Sequence, residues 1–160
     1  MYAEGKPQAL QTVLNEEVEC TGRLLGCLES EHSALTRRDM DALQETTAEK
    51  LHLSQQLESL EHRRTQLVAE LGFGDDAASL GQCFDSLPQA NIFKRLWRQV
   101  LGNLEACRND NLTNGGILEA SRQHAEQALC ILRGQSGSPA LYSQAGDATA
   151  DLGRRELGKV

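Results

Sequence analysis

The chain has 160 residues, a formal net charge of −7 and only 4% aromatic residues. A nucleic-acid-binding protein needs a surplus of Lys and Arg to contact phosphates, so this charge argues against a nucleic-acid partner. The sequence contains no run of about 18 apolar residues, and we therefore expect no insertion into a membrane. The length fits one domain with a sizeable core.

The spacing of the prolines indicates long helices. Pro7, Pro88 and Pro139 leave uninterrupted blocks of 80 and 50 residues, which suit helices better than strands. Within these blocks apolar residues recur in steps of three and four, as on one packed face of a helix. The pattern predicts an all-α fold with helices at about 7–38, 40–71 and 89–133.

The first two helices are predicted to form a hairpin. The apolar pattern of the first predicted helix passes through Leu35, whereas the pattern of the second predicted helix, extended backwards, falls on Thr36 and Asp39. The phase therefore changes within TRRDMDAL, where the Asp39 side chain can cap the start of a new helix. An αα-hairpin that turns near Asp39 is favoured over a single long helix.

Gly72 is predicted to end the second helix in a left-handed conformation, and residues 75–88 could then hold one or two helical turns. The third predicted helix continues through NDNLTNGG, although its Asn and Gly residues are typical of a turn. Its apolar pattern nevertheless keeps one phase on both sides of this segment. We therefore predict one continuous third helix, with Asn111 and Asn114 on its packed face.

Four polar residues interrupt the apolar faces: Lys50, Arg64, Asn111 and Asn114. Buried polar groups at such positions can fix the register of packed helices at some cost in stability. The long side chains of Lys50 and Arg64 could instead reach from the edge of the packed face into water. The sequence leaves both interpretations open.

These elements predict an elongated three-helix, coiled-coil-like bundle over residues 1–133, built from the hairpin and one long third helix. Residues 134–160 contain five glycines, three serines and a proline, with few large apolar side chains. Such a composition cannot bury enough apolar surface to offset the entropy lost on ordering. We therefore expect a disordered C-terminal tail.

The sequence contains no arrangement of residues typical of an enzyme. Its four histidines lack the HxxxH or HExxH spacing of a zinc site, and no glycine-rich phosphate-binding loop is present. We therefore expect no catalytic residues, no metal site and no cofactor. The five cysteines are expected to be reduced thiols, buried or half-buried. These expectations leave a binding or scaffolding protein.

Several segments, taken in order, resemble the FlgN-type flagellar export chaperones. Residues 30–64 are similar to that family's E-x-x-A-L-x-x-x-D-x-x-A-L turn and its K-x-x-L-x-x-x-L-x-x-L helix. The matching residues are Glu31, Ala34, Leu35, Asp39, Ala42, Leu43, Lys50, Leu53, Leu57 and Leu60. Farther along, an N-x-x-N-G segment is matched by Asn111, Asn114 and Gly115. The resemblance implies structural roles for four of these residues: Asp39, Asn111, Asn114 and Gly115.

The C-terminal residues also resemble this family. LYSQAG at 141–146 is similar to a tail phrase in which Leu-Tyr is followed by glycine, and LGRRELGKV is similar to a basic and apolar terminus. Ser143 departs from the family pattern, because a glycine commonly follows the tyrosine there.

The resemblance implies a cytoplasmic chaperone of flagellar type III secretion. Such chaperones hold hook-associated junction proteins before export and deliver them to the flagellar export gate. We expect the C-terminal region to fold against the client as an amphipathic helix. The residues expected to bind the client are Leu129, Leu132, Leu152 and Leu157. Tyr142 is expected to contact the export gate, although it could equally be a passive linker residue.

Two other functions remain open. A structural coiled-coil scaffold or tether would bind along the whole bundle and use the tail only as a linker. A helical regulator of another secretion system would show the same general pattern. Deletion of the tail separates a chaperone from a scaffold, because only the chaperone would lose its binding.

Overall fold

The computed structural model describes residues 5–134, which form four α-helices and no strand. The helices are α1 (Lys6–Arg37), α2 (Met40–Glu70), α3 (Ala77–Ser86) and α4 (Ala90–Leu132). The predicted all-α fold is therefore confirmed. The short helix α3 adds to the three long helices, and its 10 residues exceed the one or two turns expected.

α1 and α2 form the predicted antiparallel hairpin. Arg38 has a left-handed backbone, with φ of 56°, and the N–H groups of Arg38 and Asp39 donate to the carbonyl oxygens of Leu35 and Ala34 at 3.2 and 2.9 Å. Asp39 is also the N-cap of α2, because its carboxylate accepts a hydrogen bond from the N–H of Ala42 at 3.0 Å. Asp39 thus helps to close α1 and opens α2, which explains the change of phase at this point.

Gly72 follows the end of α2 with φ of +90°, the left-handed conformation predicted for it. The N–H of Gly72 donates to the carbonyl oxygen of Ala69 at 2.9 Å, and the N–H of Phe73 donates to that of Val68 at 3.2 Å. This pair of bonds is a Schellman motif, which satisfies carbonyl groups at the end of a helix. Phe73 also packs against the core cluster that contains Val68.

α4 is one continuous helix that includes Gly115 and Gly116, as the unbroken apolar pattern predicted. α4 runs parallel to α1, as two pairs of contacts indicate. Nδ2 of Asn103 donates to Oγ1 of Thr21 at 3.0 Å, and farther along both helices Nδ2 of Asn114 donates to the carbonyl oxygen of Leu28 at 2.9 Å.

The buried apolar residues form two clusters. The first contains all three buried residues of α3 together with residues from the other helices and from two helix ends: Leu10, Leu14, Val68, Leu71, Leu80, Cys83, Phe84, Leu87, Phe93 and Leu96. Within it the rings of Phe84 and Phe93 stack with centroids 5.9 Å apart. The second cluster is nearer the α1–α2 turn and contains Cys20, Leu24, Cys27, Leu28, Leu53, Leu60 and Cys107.

The chain divides into two compact units, Met1–Arg122 and Gln123–Val160. This boundary lies within α4, before the boundary expected at residue 134. In the second unit the structure describes residues 123–134, all of which are exposed. The tail expected to be disordered, from residue 135 to 160, lies outside the described residues.

Candidate functional site

Asn114 is a buried polar residue on the packed face of α4, with 3% of its surface exposed. Its Nδ2 donates to the carbonyl oxygen of Leu28 and to Oε2 of Glu31, both at 2.9 Å. Its Oδ1 lies 3.1 Å from Nδ1 of His32, which is the donor in this contact because Oδ1 can only accept. Both sides of the Asn114 amide are therefore bonded to one turn of α1.

Glu31 connects Asn114 to α2. Its Oε1 accepts a hydrogen bond from Nζ of Lys50 at 2.6 Å. The same Nζ lies 3.4 Å from Oδ1 of Asn111. Asn111 is exposed, so its predicted place on the packed face of α4 is wrong; it lies at the edge of that face, within reach of Lys50. We call this group of five residues from three helices the turn-end layer: Glu31, His32, Lys50, Asn111 and Asn114. Lys50 thus pairs with a buried carboxylate. Of the two interpretations that the sequence left open, this contact supports a role for Lys50 in fixing the register of the helices.

A second polar group, the Trp97 layer, consists of Glu17, Arg64 and Trp97. Nε of Arg64 donates to Oε1 of Glu17 at 3.0 Å, and the guanidinium lies 4.6 Å from the centre of the Trp97 ring. The Arg64 side chain is only 12% exposed, so it too is held inside the bundle. Glu17 precedes Glu31 by 14 residues and Arg64 follows Lys50 by 14. The hairpin therefore repeats the same buried acid–base pairing two heptads apart.

Within the Trp97 layer, the carboxylate of Glu17 is the group whose burial is unfavourable. Burial raises the pKa of Glu17, and the opposite charge of Arg64 only partly offsets this rise. Its Oε2 atom is buried and has no hydrogen-bond partner among residues 5–134. Because an unpartnered buried oxygen loses its hydration without replacement, the charge on Glu17 lowers the stability of the fold.

Reasoning from the sequence missed Glu17 and gave Glu31 no role beyond its place in the family motif, although the sequence contains a signal for both. Leu14 and Leu28 belong to the apolar row that recurs every seven residues, and the two acids follow these leucines by three residues. They therefore occupy the second packed position of the same heptads. For His32 we find no comparable signal.

An open groove of about 190 Å³ adjoins the turn-end layer, between α1, α2 and α4. Its apolar walls are the side chains of Leu35, Leu43 and Leu118. Gly115 also lines it, and a Cβ atom at this position would meet no atom within 4 Å. Nothing among the described residues therefore requires glycine at 115, whereas Asp39 and Asn114 have clear structural contacts.

Two of the residues expected to bind a client lie at the end of α4. Leu129 and Leu132 are 49% and 82% exposed, and their spacing of three residues places them on one helical face. Ile131, between them, is 77% exposed. The other expected contacts, Leu152, Leu157 and Tyr142, lie outside the described residues.

All five cysteines are free thiols, and four of them are buried: Cys20, Cys27, Cys83 and Cys107. Burial raises the pKa of each of these four thiols, which keeps them protonated and unreactive. Cys130 is exposed, so the expectation of a buried or half-buried thiol is wrong there. The reason is its place in the last turns of α4, where every residue is exposed.

The part of the chain that the structure describes contains no cluster of His, Cys, Asp and Glu side chains arranged to hold a metal ion. Within residues 5–134, no helix has both the length and the apolar character needed to span a membrane.

Comparison with known proteins identifies the family. The family model described as FlgN protein matches residues 1–150. A crystal structure from Pseudomonas aeruginosa, of a protein provisionally assigned as the flagella synthesis protein FlgN, has a similar fold with a TM-score of 0.63. It shares 25% sequence identity with this chain, and the match covers 71% of this chain and 89% of that one. Comparison with curated proteins gave no match. Because the family model matches most of the length of this chain, the chain belongs to the FlgN protein family.

Proposed function

We propose that this protein is a cytoplasmic export chaperone of flagellar assembly, which binds hook-associated junction proteins and delivers them to the flagellar export gate. Membership of the FlgN family and likeness to a flagella synthesis protein support a role in flagellar assembly. The observation that carries the client-binding part of the proposal is the exposed apolar end of α4.

This apolar end suits a helical partner. Leu129 and Leu132 lie one turn apart on one face of an already formed helix. Amphipathic helices of partner proteins bind through their apolar faces to such rows of apolar side chains. Because the helix is formed before binding, little entropy is lost in ordering this part of the site.

The client contact is proposed to continue into the C-terminal residues. We assign this part of the contact to Leu152 and Leu157, which are two of the few large apolar side chains in that segment. A segment that orders only on binding gives specificity with a modest affinity, because part of the binding free energy is spent on ordering. Modest affinity suits a chaperone that must release its client at the export gate.

The proposal is tested by measuring the affinity of a hook-associated junction protein for the full chain and its variants. Leu129→Ala/Leu132→Ala removes two apolar anchors, and each loss should weaken binding about tenfold or more, since burying a leucine contributes about 1.5–3 kcal/mol. The matched control is Met40→Ala/Leu51→Ala, which removes two exposed apolar side chains from α2 and should leave affinity unchanged.

Two further variants address the C-terminal residues. Leu152→Ala/Leu157→Ala should weaken client binding while leaving the melting temperature unchanged. Tyr142→Ala should instead weaken binding to the export gate and preserve client affinity. Full client affinity in a chain that ends at Gly134 would contradict the chaperone proposal and support a structural scaffold that binds along the bundle.

A further inference from the structure

α4 carries a second row of residues on the side opposite its buried face. Counted in steps of three and four, this outer strip of α4 consists of Arg98, Leu101, Glu105, Arg108 and Leu112. All five residues are exposed, and they lie within the first compact unit of the chain. The same spacing in coiled coils forms the seam on which a second helix packs.

The apolar members of the outer strip have no partner in the bundle. Leu101 is 47% exposed and Leu112 is 66% exposed, and neither belongs to a core cluster. They are 11 residues apart, which is about 16 Å along a helix with a rise of 1.5 Å per residue. A partner helix of three to four turns would therefore cover both leucines.

The basic members of the outer strip also have no acidic partner in the described part of the chain. Among residues 5–134, neither Arg98 nor Arg108 forms an ion pair, whereas Lys94 pairs with Asp85 and Arg63 pairs with Glu16. Nε of Arg98 donates only to the carbonyl oxygen of Lys94, at 3.2 Å. Two guanidinium groups are therefore available for carboxylates from outside the bundle.

The charge of this part of α4 differs from that of the whole chain. Residues 90–112 carry four basic and two acidic residues, a net charge of +2, in a chain whose net charge is −7. Exposed Arg95 lies one turn before Arg98 and likewise makes no ion pair among the described residues. The outer strip is thus a locally basic, partly apolar surface on an acidic protein.

We propose that the outer strip of α4 binds an acidic amphipathic helix of a partner protein. Apolar side chains of that helix pack on Leu101 and Leu112, and its carboxylates pair with Arg98 and Arg108. Charge complementarity selects this occupant, because free guanidinium groups flank the leucines at helical spacing. An anionic membrane fits less well, since Glu105 lies at the centre of the strip and the whole chain is acidic. This surface is distinct from the end of α4 and does not depend on the proposed function.

Three synthetic helical peptides test the proposal against the full chain by fluorescence anisotropy. The first has leucines at heptad spacing flanked by Glu, the second has the same leucines flanked by Lys, and the third has the Glu residues with the leucines moved off one face. The first peptide should bind, and the other two should bind at least about tenfold more weakly, since both apolar anchors and charge pairs contribute. Equal binding of all three peptides would overturn the proposal.

Two double variants locate the binding. Leu101→Ala/Leu112→Ala should weaken binding of the Glu peptide about tenfold or more. The matched control Met40→Ala/Leu51→Ala also removes two exposed apolar side chains 11 residues apart, from α2, and should bind the peptide normally. Equal losses in the two variants would contradict the proposal.

A charge reversal tests the electrostatic part. Arg98→Glu/Arg108→Glu should change the preference from the Glu peptide to the Lys peptide, because the strip then carries three acidic residues. These side chains are exposed, so an unchanged circular dichroism spectrum should accompany the change. An unaltered preference would overturn the proposal, as would binding of the wild-type chain to phosphatidylserine vesicles but not to the Glu peptide.

Discussion

Asn114 donates a hydrogen bond to the carbonyl oxygen of Leu28 at 2.9 Å, across the interface between α4 and α1. The two residues are 86 positions apart in the sequence. Asn114 lies in NDNLTNGG, a segment whose composition alone would indicate a turn. The contact explains why such a segment is helical: its buried amide has its partners on α1 and therefore stabilises the helix at this register.

Replacing Asn114 by alanine should lower the free energy of unfolding by about 2–3 kcal/mol, because the carbonyl oxygen of Leu28 and the buried carboxylate of Glu31 each lose a hydrogen-bond donor. The matched change Asn111→Ala removes only one long contact at an exposed position, and its effect should stay within about 0.5 kcal/mol. Urea unfolding followed by circular dichroism measures both values. Equal losses in the two variants would argue against a special role for Asn114.

The Trp97 layer should respond unequally to removal of its two charges. Arg64→Leu leaves Glu17 as a buried carboxylate without a counter-ion and should cost about 3–5 kcal/mol. Glu17→Leu should cost less, because the long Arg64 side chain, 12% exposed, can move its guanidinium into water. The double variant should recover most of the loss, since a buried ion pair can often be replaced by apolar residues. Thermal unfolding of the three variants measures these losses. A loss in the double variant equal to the sum of the two single losses would contradict the prediction.

The stability of the fold should depend on pH through the protonation of Glu17. Burial raises its pKa in the folded state above the ordinary value of 4.5, so the folded protein binds this proton more tightly than the unfolded chain does. Between these two pKa values, lowering the pH should therefore stabilise the wild-type protein relative to Glu17→Gln, and the gain should be complete below pH 4.5. Urea unfolding of both proteins from pH 7.5 to pH 4 measures this difference. A difference that stays constant or changes in the opposite direction would refute the prediction.

Arg38 offers a test of the hairpin turn. Its φ of 56° is unfavourable for a residue with a Cβ atom, and Arg38→Gly should therefore stabilise the fold by up to about 1 kcal/mol. The neighbouring change Arg37→Gly places glycine at the last residue of α1 and should destabilise the fold, by less than the roughly 1 kcal/mol that glycine costs in a helix interior. Melting temperatures of the two variants should move in opposite directions. Shifts of the same sign would show that the backbone conformation at Arg38 does not limit stability.

Features that depend on neighbouring residues were predictable from the sequence. The turn at Asp39 and the end of α2 at Gly72 follow from the capping chemistry of single residues and their immediate neighbours. The continuity of α4 follows from an apolar pattern that keeps its phase through Gly115 and Gly116. The FlgN family was recognisable because its motif residues occur in order along the chain.

The candidate site was only partly predictable. The sequence placed Lys50 and Arg64 on a packed face but could not decide between burial and exposure for their charges. Spacing along one helix does not specify the rotation and axial position of the next helix, which determine whether a counter-charge lies within reach. The buried roles of Glu17 and Glu31 were missed for the same reason, since acids on helix surfaces usually face water.

The sequence by itself determined the three long helices and where the chain turns between the first two, because caps, glycines and apolar periodicity act over a few residues. The tertiary structure alone decided the pairing of Glu17 with Arg64 and of Glu31 with Lys50 and Asn114. These pairings need three helices in one register, and the free energy of a buried charge depends on groups brought from 19 to 83 residues away.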